Sequence, residues 1–229
     1  MKTNYDKFKR TIQIVGLENF LKLQSKKLIV FGVGGVGGQA VESLVRAGFV
    51  NITIVDYDKI ETSNFNRQLL ATESELAKIK VEVAKRRMLE INKEAKITAL
   101  NKQLTKDNIS KFNLHEFDYI IDAIDEYSSK IALITYALRN KLKIISSMGA
   151  GNRLDPTKVK ISKVENTFAC PIAKKIRLDL KKLKLNNLNV VFSEEYALEN
   201  KYKVPGSSSF VPPAFGLAIA SFVFKQLIA

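Results

Sequence analysis

The 229-residue chain has one cysteine, one histidine, five prolines and fewer acids (23) than bases (37). A single cysteine, Cys170, excludes an internal disulfide framework and any zinc site built from cysteine pairs. The lone His115 lies in Asn113-Leu-His115-Glu116, a polar turn-like stretch that is a poor setting for the base of a Ser-His-Asp or Cys-His mechanism. No stretch rich in Gly, Ser or Pro divides the chain, and no internal repeat is visible. Residues 1–6 contain no apolar core, so no signal peptide is expected. The longest apolar stretch, 210–224, carries two prolines and is shorter than the ~20 residues that cross a bilayer, so it reads as a buried terminal helix. A cytoplasmic location with no membrane association is the expectation.

Apolar residues make up 46% and charged residues 26%, enough to bury a core and outside the range of disordered chains. The formal charge, 37 − 23 = +14, favours a polyanionic partner such as nucleic acid or an acidic membrane surface and disfavours a basic substrate. Lys27-Leu-Ile-Val-Phe31 leads through glycines into a helical pattern (Ala40, Val41, Leu44, Val45) and then Asn51-Ile-Thr-Ile-Val55, which is strand, turn, helix, strand. The alternation continues with a charged helix over 76–91, a strand near 96–100, a polar helix near 105–112, a strand at 117–121, a helix at 128–138 and a strand at 142–146. It predicts an α/β, Rossmann-like fold, a mainly parallel sheet with helices on both faces. After Gly151 the alternation is lost. Strands at 159–161 and 190–192 around a basic helix, 171–184, suggest a C-terminal antiparallel elaboration. The expected organisation is one domain over 1–229, with a nucleotide-binding core at 8–150 and an elaboration at 151–229.

Gly32-Val-Gly34-Gly35-Val-Gly37-Gly38 places G-x-G-x-x-G directly after a strand and at the start of a helix, where free N–H groups and the helix dipole attract phosphate. Asp56 ends the next strand, where a carboxylate can accept from ribose hydroxyls. This motif does not distinguish a dinucleotide from ATP. The long polar stretch Asp56-Tyr-Asp58 to Asn64-Phe-Asn66-Arg67-Gln68 favours the latter, because a triphosphate needs cations and a carboxylate to hold Mg2+. Arg67, Lys80 and the pair Asp122/Asp125 supply those groups beyond the ends of strands, where ligands of open α/β folds collect.

In combination, Gly32-x-Gly34-Gly35-x-Gly37, Asp56-x-Asp58, Asn64-x-Asn66-Arg67-Gln68, Lys80 and Asp122-Ala-Ile-Asp125 resemble the adenylating domain of the ubiquitin-activating-enzyme-like superfamily, which includes activating enzymes of molybdopterin and thiamine biosynthesis. Ser146-Ser-Met-Gly-Ala-Gly-Asn152, Leu154-Asp-Pro-Thr157, Pro171-Ile-Ala-Lys174, Val191-Phe-Ser-Glu194 and Phe210-Val-Pro-Pro-Ala-Phe-Gly216 are similar to one branch of it, the tRNA threonylcarbamoyladenosine dehydratases. The resemblance runs from about Phe8 to the C-terminus. It implies ATP-dependent cyclisation of the threonylcarbamoyl group beside the tRNA anticodon, through adenylation of its carboxylate. By the same resemblance, Gly32, Gly34, Gly35 and Gly37 shape the phosphate turn and Asp56, next to Asp58, binds ribose. Asn64 and Gln68 position phosphates, Arg67 and Lys80 neutralise them, and Asp122 or Asp125 holds Mg2+. Arg10 matches an arginine that reaches the partner subunit's γ-phosphate, which implies a homodimer. The resemblance also leaves room for a sulfur-relay partner.

Two features depart from the family. Ala77 stands three residues before Lys80, where relatives often carry glycine, and the segment 195–205 is short. Cys170 precedes Pro171 where many relatives carry Asp; it invites comparison with a thioester cysteine, but a structural or capping position is the expectation. The basic helix over 171–184 puts Ile172, Ile176, Leu180 and Leu183 on one stripe and Lys174, Lys175, Arg177, Lys181, Lys182 and Lys184 around it, a candidate surface for the tRNA backbone. Two other readings remain at this point, an enzyme that activates the C-terminus of a ubiquitin-like sulfur carrier and a nucleotide-binding scaffold or NAD-dependent oxidoreductase.

Overall fold

Runs of apolar residues produce the centre of the sheet. In the computed structural model, which describes residues 5–199, 201, 202 and 204–228, β1 (Lys27–Phe31), β2 (Asn51–Asp56), β3 (Lys96–Asn101), β4 (Tyr119–Asp122) and β5 (Ile144–Ser147) are parallel. Every residue of β4 and β5 is buried, the mark of strands covered on both faces. β6 (Val159–Lys163) and β7 (Asn189–Ser193) complete one seven-stranded sheet in the order β3-β2-β1-β4-β5-β7-β6. β7 pairs parallel with β5 and antiparallel with β6, so only the outermost strand runs against the rest. The expected antiparallel elaboration is thus one pair, because β7 extends the parallel core.

Helices α1 (Lys9–Val15), α2 (Leu17–Ser25), α3 (Gly37–Ala47), α4 (Lys80–Ile91), α5 (Tyr127–Arg139), α6 (Pro171–Lys182) and α7 (Val211–Ile228) clothe the sheet. On one face α3, α4 and α7 pack Val41, Leu44, Val81, Met88, Phe215 and Ile219 against Val30 and Ile54. On the other, α5 and α6 pack Leu133, Ile134, Ile176 and Leu180 against Ile29 and Phe31. The apolar C-terminal stretch forms α7, which lies against α3. There a Cβ on Gly216 would stand 2.4 Å from the Val36 carbonyl, so only glycine permits this approach.

Three expected helices are altered. The charged helix starts at Lys80 rather than 76, because Ala77 takes a left-handed backbone (φ 65°) and Ile79 bridges to Lys59. The stretch 105–112 yields only a 3-10 turn at Ile109–Phe112, since the Asn108 side chain accepts from the Thr105 N–H and donates to the Gln103 carbonyl, competing with helical bonding. The basic helix stops at Lys182. Its buried stripe is Ala173, Ile176 and Leu180, while Leu183 is 40% exposed beyond the helix end.

Strand order reverses between β1 and β4. The crevice opened at their C-terminal ends is where open α/β folds hold ligands.

Candidate active site

The glycine turn is built by crowding. Gly32 (φ 85°) lies so close to the β4 exit that a Cβ would stand 2.6 Å from the Ala123 carbonyl, and a Cβ on Gly37 would collide with the Gly32 carbonyl. The turn leads into α3, whose N-terminus faces the crevice. Gly34 and Gly35 line that crevice.

Asp56 ties this turn to the end of β2. Its carboxylate accepts from the Val33 N–H at 2.8 Å and the Asp58 N–H at 2.9 Å. Burial raises its pKa, against the pull of those two N–H groups. Asp58 in turn holds Lys80, whose ammonium lies 2.8 Å from the carboxylate while its side chain is only 6% exposed. Burying a lysine at the first residue of α4 requires such a partner.

Arg67 and Gln68 enter from the loop after β2. Arg67 donates to the Ser63 carbonyl and the Asn66 side chain, which hold the guanidinium at the wall. Gln68 is buried beside Gly34, and its Oε1 has no hydrogen-bond partner in the protein. Asn64 does not line the crevice. It is buried in a reciprocal cap with Glu61, accepting that residue's N–H at 3.1 Å, and it shapes the loop that carries Arg67 and Gln68.

The two carboxylates after β4 differ. Asp122 is fully buried, and its carboxylate accepts from Lys130 at 2.8 Å, from the Ser146 hydroxyl and from the Ile124 N–H at 3.1 Å. With both oxygens engaged it is ill suited to a metal. Asp125 is exposed at the crevice and free to meet a cation. Among the described residues no three His, Cys, Asp or Glu side chains gather as a metal site. A Mg2+ ion would therefore take most of its ligands from phosphates and water, as Mg2+ commonly does. Lys130 was not foreseen. It reads as one more helical lysine, and only the sheet brings it to Asp122.

The crevice has two parts. One is bounded by Phe31, Leu104 and Ile124 and by Lys102 and Gln103 just beyond β3. The other holds Gly34, Gly35, Arg67, Gln68, Lys80 and Lys130. Gly32, Asp56, Asp58, Ile124 and Asp125 belong to both. The first part offers apolar walls to a flat base; the second offers cations to phosphates. Asp56 stands between them, where a ribose would lie. Arg10 lies outside both parts, exposed on α1. His115 lies in a short 3-10 turn, also outside both. Cys170 occupies the N-cap position of α6, where it makes no side-chain cap hydrogen bond; it is buried with its sulfur packed toward Gly149.

A recess with apolar walls that shares Asp56 and Asp58 with a chamber lined by Arg67, Lys80 and Lys130, at the switch point of a mainly parallel sheet, defines a Rossmann-like nucleotide-binding protein. The chain belongs to the ThiF family, whose model matches residues 8–228. It is 34% identical over 239 aligned residues to the tRNA threonylcarbamoyladenosine dehydratase of Bacillus subtilis, covering 96% of this chain and 94% of that one. It is 36% identical to the Haemophilus influenzae protein of the same name, over 72% of this chain and 63% of that relative's length. Among solved structures it superposes on the E. coli tRNA N6-threonylcarbamoyladenosine dehydratase in complex with AMP with a TM-score of 0.93 at 31% identity, covering 98% of this chain and 94% of that one. The same enzyme in complex with ATP gives 0.92.

Proposed function

We propose that this protein uses ATP to adenylate the threonine carboxylate of threonylcarbamoyladenosine in tRNA and so drives cyclisation of the modified base. The observation that carries this reading is the two-part crevice with Arg67, Lys80 and Lys130 around its larger half, in a chain similar to dehydratases solved with AMP and ATP. A carboxylate oxygen attacks the α-phosphorus and the α–β bridging bond breaks, releasing pyrophosphate. A nucleophilic atom of the same modified base then attacks the activated carbonyl, the bond to AMP breaks, and a proton leaves with ring closure. The net change in the base is the loss of one water. Because ring closure is intramolecular, orientation supplies much of the acceleration and no enzymic nucleophile is needed.

In this reading Asp56 accepts from the ribose, with Asp58 holding Lys80 beside it. The turn Gly32, Gly34, Gly35 and Gly37, together with Gln68, receives phosphates, while Asn64 acts indirectly by shaping the loop. Arg67 and Lys80 offset the negative charge that builds at the leaving pyrophosphate. Asp125 rather than Asp122 contacts Mg2+, which supplies charge neutralisation on the phosphates when bound. Asp122 positions the wall 123–125 through its bond to the Ile124 N–H.

Arg10 acts across a homodimer. Beside it an apolar groove formed by Ile14, Val15, Leu44, Leu217, Ala220 and Phe224 leaves Ile14 84% exposed, a surface suited to a second copy. Exposed lysines of α6 follow the tRNA backbone, and the whole works in the cytoplasm as one domain. A sulfur-relay partner would dock without passing sulfur to this chain, whose single thiol is buried.

Nucleoside mass spectrometry tests the proposal. Incubating threonylcarbamoyl-modified tRNA with the protein and MgATP yields a nucleoside lighter by one water, and Lys80→Ala lowers the rate by about 100-fold or more. Cyclisation that proceeds without ATP would overturn the reading. Pyrophosphate exchange elicited only by a small protein ending in Gly-Gly would favour a sulfur-carrier activating enzyme instead.

A further inference from the structure

The order of the strands sorts the chemistry of the crevice from one side to the other. The base recess is bounded by residues at and beyond the ends of β1, β2, β3 and β4, and Arg67 and Lys80 come from the loop after β2 and the start of α4. Residues 147–151, at the end of β5 and just beyond it, line the phosphate chamber and take no part in the recess. β5 lies across β4 from β1, β2 and β3. A nucleotide with its base in the recess and its phosphates on the glycine turn therefore leaves this β5 flank open. The carboxylates that line the chamber, Asp56, Asp58 and Asp125, follow β2 and β4, and none follows β5.

Two buried cations serve the flank. Lys130, on α5, is the one that lines the chamber there. Its ammonium lies 2.8 Å from the Asp122 carboxylate and 3.4 Å from the Ser146 hydroxyl, and its side chain is 2% exposed. An ammonium carries three donors, so these two bonds leave one for a ligand. Arg153 stands behind the loop. It donates to the carbonyls of Gly149 and Gly151 at 2.9 Å each, Ala169 at 2.7 Å and Glu195 at 3.0 Å. All four acceptors are neutral, and among the described residues no carboxylate forms an ion pair with this buried guanidinium. The nearby Glu195 carboxylate is taken by the Leu154 and Asp155 N–H groups. A buried charge without a counter-charge attracts an anion in the adjoining cavity. The bonds of Arg153 also occupy two glycine carbonyls that would repel such an anion.

We propose that the β5 flank seats the acceptor carboxylate, with Lys130 as its contact. The inference deepens the reading of the reaction given above and rests on it for the identity of the carboxylate. One carboxylate oxygen accepts from the Lys130 ammonium while the other faces the α-phosphorus. That second oxygen forms the new P–O bond as the α–β bridging bond breaks and its electron pair leaves with pyrophosphate. Asp122 offsets the lysine's charge, so the contact orients the carboxylate without quenching the nucleophilicity of the attacking oxygen. Orientation of this kind is what brings two bound reactants to reaction.

Paired binding measurements decide the matter. In the presence of an ATP analogue blocked at the α–β bridge, filter binding compares threonylcarbamoyl-modified tRNA with the same tRNA lacking the modification. Wild type should prefer the modified tRNA, and Lys130→Gln, which keeps a donor for Asp122, should lose about tenfold or more of that preference. The affinity for unmodified tRNA and the thermal shift produced by MgATP should stay as in wild type. Ala150→Glu, which leaves the buried pair intact and brings a negative charge to the same flank, should lose the preference too. Preference retained in folded Lys130→Gln overturns the assignment, and a weakened MgATP shift with preference retained gives the lysine to the triphosphate instead. If Lys130→Gln does not fold, Ala150→Glu decides alone, and full preference in it removes the subsite. Absence of any preference in wild type also removes it. Cyclisation followed by mass spectrometry reads the reaction separately: turnover by wild type with preference retained in both variants leaves the enzymatic reading standing without this subsite. Preference lost in the variants of a protein that cyclises nothing keeps the subsite and removes that reading.

Discussion

Ala77 holds a left-handed backbone (φ 65°) in the turn that delivers Lys80 to the crevice. Its N–H donates to the Ile60 carbonyl at 2.8 Å, and the Ile60 N–H donates to the Lys78 carbonyl, so the turn closes around a conformation in which a Cβ crowds the following carbonyl. Glycine would relieve that crowding, and this chain tolerates it with alanine. Ala77→Gly should therefore stabilise the fold by about 0.5–1 kcal/mol, less than the full relief of strain because glycine costs more chain entropy on folding. A higher urea midpoint with an unchanged KM for ATP is the expected outcome. Lys130 and Asp122 present the opposite case, a buried ion pair whose desolvation is offset by Ser146 and the Ile124 N–H together. Their effect is positional: through the Ile124 N–H the pair holds the wall 123–125, which carries Asp125 at the crevice.

Among the elements, α5 depends on a cap that also responds to pH. The Glu126 carboxylate accepts from the Ser128 and Ser129 N–H groups at 2.7 Å each, and these bonds with the Ser128 hydroxyl lower its pKa from 4.5 to about 2. A carboxylate with a depressed folded pKa contributes stability fully above the unfolded value and loses it as pH falls through the folded one. Glu126→Ala should thus cost about 0.5–1 kcal/mol at neutral pH. In urea unfolding, the difference between the two proteins should shrink as pH falls from 4.5 towards 2. The elements most legible from sequence were those whose signal is local. Apolar runs such as Leu28 to Phe31 mark strands covered on both faces, and the glycine motif with Asp56 is contiguous with the strands that position it. What escaped depends on partners remote in sequence: the start of α4, set by the Lys59–Ile79 bridge; β7, whose parallel pairing needs β5; and Lys130, whose partners lie on β4 and β5. Asn64 shows the remaining limit, since a polar residue in a ligand-binding loop can serve the loop rather than the ligand.

For the whole molecule, the proposed homodimer makes each crevice depend on two chains. Lys80 and Arg67 come from one and Arg10 from the other, so Arg10→Ala and Lys80→Ala proteins are each inactive alone. Mixed in equal amounts and allowed to exchange, they should recover roughly a quarter of wild-type activity, since half the dimers are mixed and each mixed dimer has one intact crevice. No recovery after verified exchange would place Arg10 outside the partner's site. The packing of α7 on α3 has a different consequence, one of timing. The nucleotide turn sits at the head of α3, yet the helix that covers α3 at Gly216 begins more than 160 residues further along the chain. At ordinary elongation rates the nascent chain spends roughly ten to thirty seconds with that apolar face bare. During this interval the apolar face of α3 that α7 later covers is open to misassembly.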